Sequence, residues 1–481
     1  MEEDMKDLNR DKIDFENTNI GRLFTMLLIP TLMGLIFGAL LNVADGIFVG
    51  KGVGSNALAA VNVAAPIYLL ASATSLMFGT GVSIIAAVHM SHRNYKAANI
   101  NVTQAFAVPS LLMLLLGIVI YAFAPQLCYL FGGSAELEPL VVTYLRYICP
   151  IPLFSVFFFV GAFVIRLDGS PRYAMLCNII PSLLNIFLDW LLVFPLDMGL
   201  KGAAMATSIS MMVGAVMAMC YFTRFAHVIR LYKVKTSRTS LYLTARNISA
   251  MIKLGLATFI GDTAITFMII AGNYMFMNNL HEDGVAAWSV CCYLFPLVFM
   301  FGSAVVQSQL PIISFNHGLG RQDRVNSTFR ISVGSTAICG AMLITCCILG
   351  CKQILGLFLD EESEPFHIAT EGFPTYSIGF LFFSLNIVVI GFYQSLGLAK
   401  ESNLFMLLRG LILLIPSFVL LPECFGTRGL WLAVPASEFI TLSIIAVCTF
   451  TQRRKLFGTN SLQDSDSRKE IVKNASDAFY D

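Results

Sequence analysis

Twelve stretches of this 481-residue chain are each long and apolar enough to cross a bilayer as a helix. A helix needs about 20 apolar residues to span the hydrocarbon core. The stretches fall at roughly 22–46, 57–85, 98–124, 140–165, 172–194, 201–223, 252–277, 284–310, 326–350, 373–396, 402–422 and 428–450. Strands of a membrane β-barrel would be about half as long and would alternate in and out, which these do not. Only 13% of the residues are charged, where soluble domains run near about a quarter. The expected fold is therefore an all-α integral membrane protein of 12 transmembrane helices.

The polar connections set the expected organisation. A cytoplasmic N-terminal tail (1–19) lacks the basic start and short apolar core of a cleaved signal, so the first span is expected to stay as an anchor. An N-lobe follows (20–223), then a basic cytoplasmic linker (224–251), a C-lobe (252–450) and a cytoplasmic C-terminal tail (451–481). Of the 31 Lys and Arg, four (Lys51, Lys201, Lys352, Arg428) fall on the external side and two (Arg146, Arg409) inside spans. All the others fall on the side assigned to the cytoplasm, a clear positive-inside pattern that puts both termini there. The linker carries Arg224, Arg230, Lys233, Lys235, Arg238 and Arg246, and is read as solvated with some contact to anionic lipid. A net charge of +1 gives no reason to expect nucleic acid.

The two lobes are related by an offset of 227 residues. Gly199-Leu200-Lys201-Gly202-Ala203-Ala204 opens span six, and Gly426-Thr427-Arg428-Gly429-Leu430-Trp431 opens span twelve. At that offset Ala59-Ala60 meets Ala286-Ala287 and Asn94 meets Arg321, while Gly169 and Gly397 are offset by 228. Six spans per half is an even number, so the halves are parallel repeats forming two pseudo-symmetric six-helix lobes.

Polar residues inside the spans are costly and point to function by default. Asn185 and Asp189 lie four apart and share a helix face. Asp189 is 17 residues beyond Arg172, about 25 Å along the axis and so in the outer half of the membrane. Thr207 enters from the outside about 9 Å deep, and Asp45 sits near the outer end of span one, which Pro30 can bend. Asp45, Asn185, Asp189 and Thr207 thus form one cluster of acids and neutral oxygens. A carboxyl withdrawn from water holds its proton more tightly, so such a cluster suits H+, and its oxygens could equally hold Na+. Asp262 in span seven is a weaker candidate, and Glu438 in span twelve is placed near the outer mouth. His89 and His92 read as an interfacial polar pair rather than metal ligands, and the twelve cysteines as small buried apolar residues. With no credible Walker motif, any pumping must draw on an ion gradient; no enzyme signature and no cofactor beyond that coupling ion is expected.

Asn42-Val43-Ala44-Asp45-Gly46-Ile47-Phe48-Val49-Gly50 followed by Ala57-Leu58-Ala59-Ala60-Val61 resembles the first-span signature of the multidrug and toxic compound extrusion (MATE) family. Asn185-x-x-x-Asp189 and Gly199-x-Lys201-Gly202-Ala203-Ala204 continue the likeness, and the doubled plan extends it over 20–450. The resemblance, closest to bacterial MepA-like members of the DinF-like branch, implies a two-lobed exporter driven by H+ or Na+. It implies that Asp45, Asn185, Asp189 and Thr207 match the branch's cation site, with Asn42 as a further polar neighbour. The branch typified by NorM carries acids in spans seven and ten. Here the span-seven position falls near Ile265 rather than Asp262, and span ten offers Asn386 and no acid.

The expectation is a monomeric multidrug antiporter of a bacterial inner membrane. It would move amphiphilic, cationic small molecules by alternating access, in contact with membrane lipids. The alternative is a flippase for lipid-linked saccharides, whose anionic phosphate would want a basic cavity.

Overall fold

The computed structural model describes residues 13–131, 133–233, 237–452 and 456. The expected tails through residue 12 and beyond 456 lie outside the described residues. Among those described there is no strand. Lipid offers the backbone no hydrogen-bond partner, and a helix satisfies its own.

The first half comprises α1 (Ile20–Gly52), α2 (Ser55–Ser91), α3 (Tyr95–Ala122), the short α4 (Ala124–Leu130), α5 (Glu138–Ile148), α6 (Ile151–Leu167), α7 (Pro171–Val193) and α8 (Gly199–Cys220). The second comprises α9 (Arg238–Leu319), α10 (Gln322–Leu349), α11 (Cys351–Gly356), α12 (Glu364–Ser395), α13 (Ala399–Leu407), α14 (Leu414–Phe425) and α15 (Thr427–Thr451). Helix α9 is two helices joined at His281, where φ is 54° and ψ −148°. Among the described residues, eleven helices meet the length and apolarity of a membrane span, or twelve if α5 and α6, bent by 48°, count as one. That pair is the expected span 140–165, interrupted where Pro150 and Pro152 cannot donate backbone hydrogen bonds. Outward rows such as Leu111, Leu115 and Ile118 on α3 stay exposed, as lipid-facing side chains do.

The internal repeat is written in the turns. Gly54 and His281, Arg93 and Gly320, and Gly199 and Gly426 all take positive φ, and each pair is separated by the same 227 residues. Gly169 and Gly397 do so as well. Equivalent turns need the same left-handed residue, which glycine adopts without strain. Arg93 and His281 hold it without being glycine, at a cost of about 1–2 kcal/mol each.

The chain divides into two compact units, with the boundary at Phe259–Ile260. In the first, Ala57, Ala60, Ala64, Ala203 and Ala204 let helices approach closely, the packing mode favoured in lipid. In the second, the core is built on rings: Trp288 stacks on Phe276 at 5.1 Å, and Trp431 meets Phe276 edge-on at 4.9 Å.

The stretch read as a linker is fastened to the first unit. After a π-helical turn (Tyr221–Phe225), Asp168 at the end of α6 accepts from the backbone N–H groups of His227 (2.7 Å), Val228 (3.0 Å) and Ile229 (3.0 Å) and from the Tyr221 hydroxyl (2.8 Å). Asn99 on α3 accepts from Arg230 N and donates to Val228 O. Helix α9 then starts at Arg238, inside the expected linker, and Gln104 bonds Thr244 and Asn247 on it. Asp168→Ala leaves three backbone donors without their acceptor, at about 1–3 kcal/mol for each that stays buried. It is expected to speed amide hydrogen exchange across 226–233 while the spans stay protected.

Candidate functional site

Helix α7 carries the site because its polar positions recur on one face. Ser182, Asn185 and Asp189 are all buried, while Leu183, Phe187 and Trp190 on other faces are exposed. That face lies against α1 on one side and α8 on the other. The turn into α8 is tight: Asp197 and Gly199 have positive φ, and a Cβ at Gly202 would sit 3.0 Å from the Leu192 carbonyl oxygen.

Asp189 is 0% exposed and Asn185 1%. The Asn185 amide is oriented by its surroundings. Its nitrogen donates to Asp189 Oδ2 at 2.9 Å, and its oxygen accepts from the backbone N–H of Thr207 at 3.1 Å. The opposite orientation would set oxygen against carboxylate and N–H against N–H. The other carboxylate oxygen, Asp189 Oδ1, is buried with no hydrogen-bond partner among the described residues. The Thr207 hydroxyl is turned back along its own helix and donates to Ala203 O at 3.1 Å.

Asp45 on α1 is half-buried, and its charge interacts with that of Asp189. Tyr144 on α5 and Tyr68 on α2 pack in the same core of the first unit. Sequence reasoning does not single out these two tyrosines, because a phenol among many apolar aromatics carries no positional signal. Asn185, Asp189 and Thr207 therefore form one hydrogen-bonded chain across α7 and α8, and Asp45 lies within electrostatic reach of it. Asn42 is on α1, but its side chain lies outside the described residues.

The remaining candidates sit in the second unit. Asp262 on α9 is half-buried, with Oδ2 unpartnered among the described residues. Asn386 on α12 is 0% exposed and donates to Glu438 Oε2 at 2.7 Å and to Glu438 O at 2.8 Å. Glu438, expected near the outer mouth, is buried rather than open to solvent. It lies mid-helix in α15, 3% exposed, and pairs with Arg409 Nε at 2.8 Å. Counting residues from the outer loop locates the helix start but cannot reveal a partner from another helix.

No group of three or more His, Cys, Asp or Glu side chains with metal-binding geometry occurs among the described residues. The cluster in the first unit can hold one acid in an apolar setting, read by one amide.

The family model MatE matches this chain twice, over residues 30–191 and 258–419. The multidrug export protein MepA of Staphylococcus aureus (strain NCTC 8325 / PS 47) is 20% identical over 451 residues, covering 93% of this chain and 98% of that protein. A solved outward-facing multidrug resistance MATE family transporter superposes with a TM-score of 0.81 at 20% identity, covering 97% of this chain and 99% of the other. A MOP superfamily transporter from Pyrococcus furiosus, described as having a binding pocket of reverse polarity, gives 0.84 at 19%, covering 94% and 98%. At these identities the structural likeness speaks to the fold. The family model covers both halves, so the chain belongs to the multidrug and toxic compound extrusion (MATE) family and is a multi-pass membrane transporter rather than an enzyme.

Proposed function

We propose that this protein exports amphiphilic organic cations from a bacterial cell by antiport against an inward ion gradient, with Asp189 as the coupling residue. The observation that carries the reading is the buried Asp189 carboxyl, with one oxygen held by Asn185 and the other bare. An acid in that setting changes charge only when it exchanges a proton or a cation, and it is expensive to keep for any other purpose. Relatives named multidrug export proteins support drugs as the cargo.

One observation favours H+ over Na+. A sodium ion would need several oxygens aimed at one point, and the Asn185 amide turns its nitrogen rather than its oxygen toward the Asp189 carboxylate, its oxygen accepting from Thr207 N. A proton needs only the bare Oδ1. Thr207→Ala is therefore expected to have a small effect on transport, well below that of changing Asp189, because the link to Asn185 runs through the Thr207 backbone. A loss as large as that of Asp189→Asn would mean the hydroxyl is an ion ligand. Of the two arginines within the expected spans, Arg409 has its charge taken by Glu438, which weighs against the flippase reading.

The test is efflux of a cationic dye such as ethidium from proteoliposomes, with H+ and Na+ gradients imposed separately. Dye movement driven by the proton gradient alone is expected. Movement under neither gradient would overturn the antiport reading, and movement under Na+ alone would overturn the choice of ion.

A further inference from the structure

The second unit holds a buried polar cluster of its own, built from three helical segments. Arg409 lies on a π-helical turn (Leu408–Ile412) between α13 and α14, a distortion that recurs at functional positions. Its Nε donates to Glu438 Oε1 at 2.8 Å and Oε2 at 3.0 Å. Its guanidinium lies 3.8 Å from the centroid of the Phe383 ring. The Nη1 group meets Met406 Sδ, at 3.6 Å, a weak acceptor. Asn386 completes the cluster, and its Oδ1 is buried without a partner among the described residues.

Stability alone is a poor reason for this pair. Removing two charges from water offsets most of their attraction, and apolar side chains of similar volume are often as stable. The cluster also lies about one helical turn from the positions to which the repeat carries the first unit's site. Arg409 is 227 residues after Ser182, one turn from Asn185, and Glu438 is 227 after Met211, one turn from Thr207. Each half thus holds a buried carboxyl bonded to an asparagine near its fifth and sixth spans, although Asn386 reaches Glu438 from α12, the fourth span of its half.

We propose that Glu438 is a second proton-exchange site of the transport cycle, with Arg409 as its built-in counter-ion and Asn386 as the group that accommodates both protonation states. The step is a plain protonation. A proton from water binds a Glu438 carboxylate oxygen, Arg409 keeps its own proton, and the cluster changes from neutral to a net charge of +1. Three features fit it to both states. Asn386 Nδ2 donates to the carboxylate, and after rotation of the amide the bare Oδ1 can accept from the carboxylic acid. The Phe383 face remains under the guanidinium when the ion pair is lost. The resulting positive charge disfavours a cationic substrate nearby, which is the direction export requires.

Few other ionisable groups face Glu438 among the described residues. Helix α12 brings the buried Tyr376, and the π-helical turn brings Arg409. Helix α14 carries Glu423 at its exposed end, and α15 itself carries Arg428 in its first turn.

The inference rests on the antiport reading, and the test separates the two. Full-length protein is reconstituted with the membrane potential clamped at zero, and ethidium accumulation is measured against the size of the pH gradient. The double variant Arg409→Met with Glu438→Met removes both charges and keeps the volume. It is expected to transport with a shallower dependence, accumulating about tenfold less dye for each pH unit of gradient, the equivalent of one proton fewer per cycle. Equal dependence in wild type and double variant overturns the inference while leaving antiport intact. Absence of any pH-driven accumulation in the wild type overturns both. Should the double variant fail to fold, Arg409→Lys decides. Losing the planar fork weakens the hold on the carboxylate, so the pH midpoint of transport is expected to move alkaline, and an unmoved midpoint overturns the inference.

Discussion

Asp189→Asn is expected to leave the protein folded in the membrane and to remove most gradient-driven efflux, leaving no more than the second exchange site at Glu438 can drive. The substitution is nearly isosteric, and the new amide oxygen can still accept from Asn185 Nδ2, which now donates to Oδ2 at 2.9 Å. What it removes is the ability to gain and lose charge. The buried Oδ1 has no partner among the described residues to replace it, and the hydrogen-bonded chain with Asn185 and Thr207 holds no second acid there. Asp45 is only half-buried and makes its contribution through charge, so it cannot take over the exchange in place. Substrate-for-substrate exchange, which needs no proton, is expected to persist. Full efflux by the variant would remove Asp189 from the mechanism.

Gly255→Leu is expected to be the most damaging structural change. Gly255 on α9 and Gly81 on α2 lie at a helix crossing where backbone meets backbone within the first unit. A Cβ on Gly255 would collide with the Met77 carbonyl oxygen, and one on Gly81 with that of Met251. A Thr258–Thr80 hydroxyl bond of 3.3 Å sits beside the crossing. Overpacking a core usually costs about 1–3 kcal/mol because side chains can shift. Here the obstacle is backbone on both sides, so the cost is expected at or above the top of that range. Yield and thermal unfolding of the detergent-purified protein measure it, and a variant as stable as wild type would contradict so close a crossing.

Much of this architecture is legible in the sequence because the membrane simplifies the code. Length and apolarity mark spans, and the 227-residue offset seen in Gly199 and Gly426 reappears as matching left-handed turns. Asn185 and Asp189 are legible because their relation is local, four residues on one helix. The Arg409–Glu438 pair is not. Its partners are on different helices, and a pairing across helices depends on rotation and depth that hydropathy does not encode. Tyr68 and Tyr144 escape sequence reasoning for the same reason, since only the packing of α2 and α5 brings these two phenols into one core. The engagement of the 224–251 stretch is hidden too. Basic residues suggest solvent, but its backbone N–H groups find Asp168 and Asn99.

The central claim, that Asp189 exchanges its proton for substrate, is tested most directly by proton release. Tetraphenylphosphonium is added to the purified full-length protein in weakly buffered solution near neutral pH, and released protons are counted. If binding favours the ionised acid, linkage requires protons to leave as the cation arrives. The account predicts about one proton fewer per molecule from Asp189→Asn than from wild type, at saturating ligand. Equal release from both, with binding retained, would contradict it.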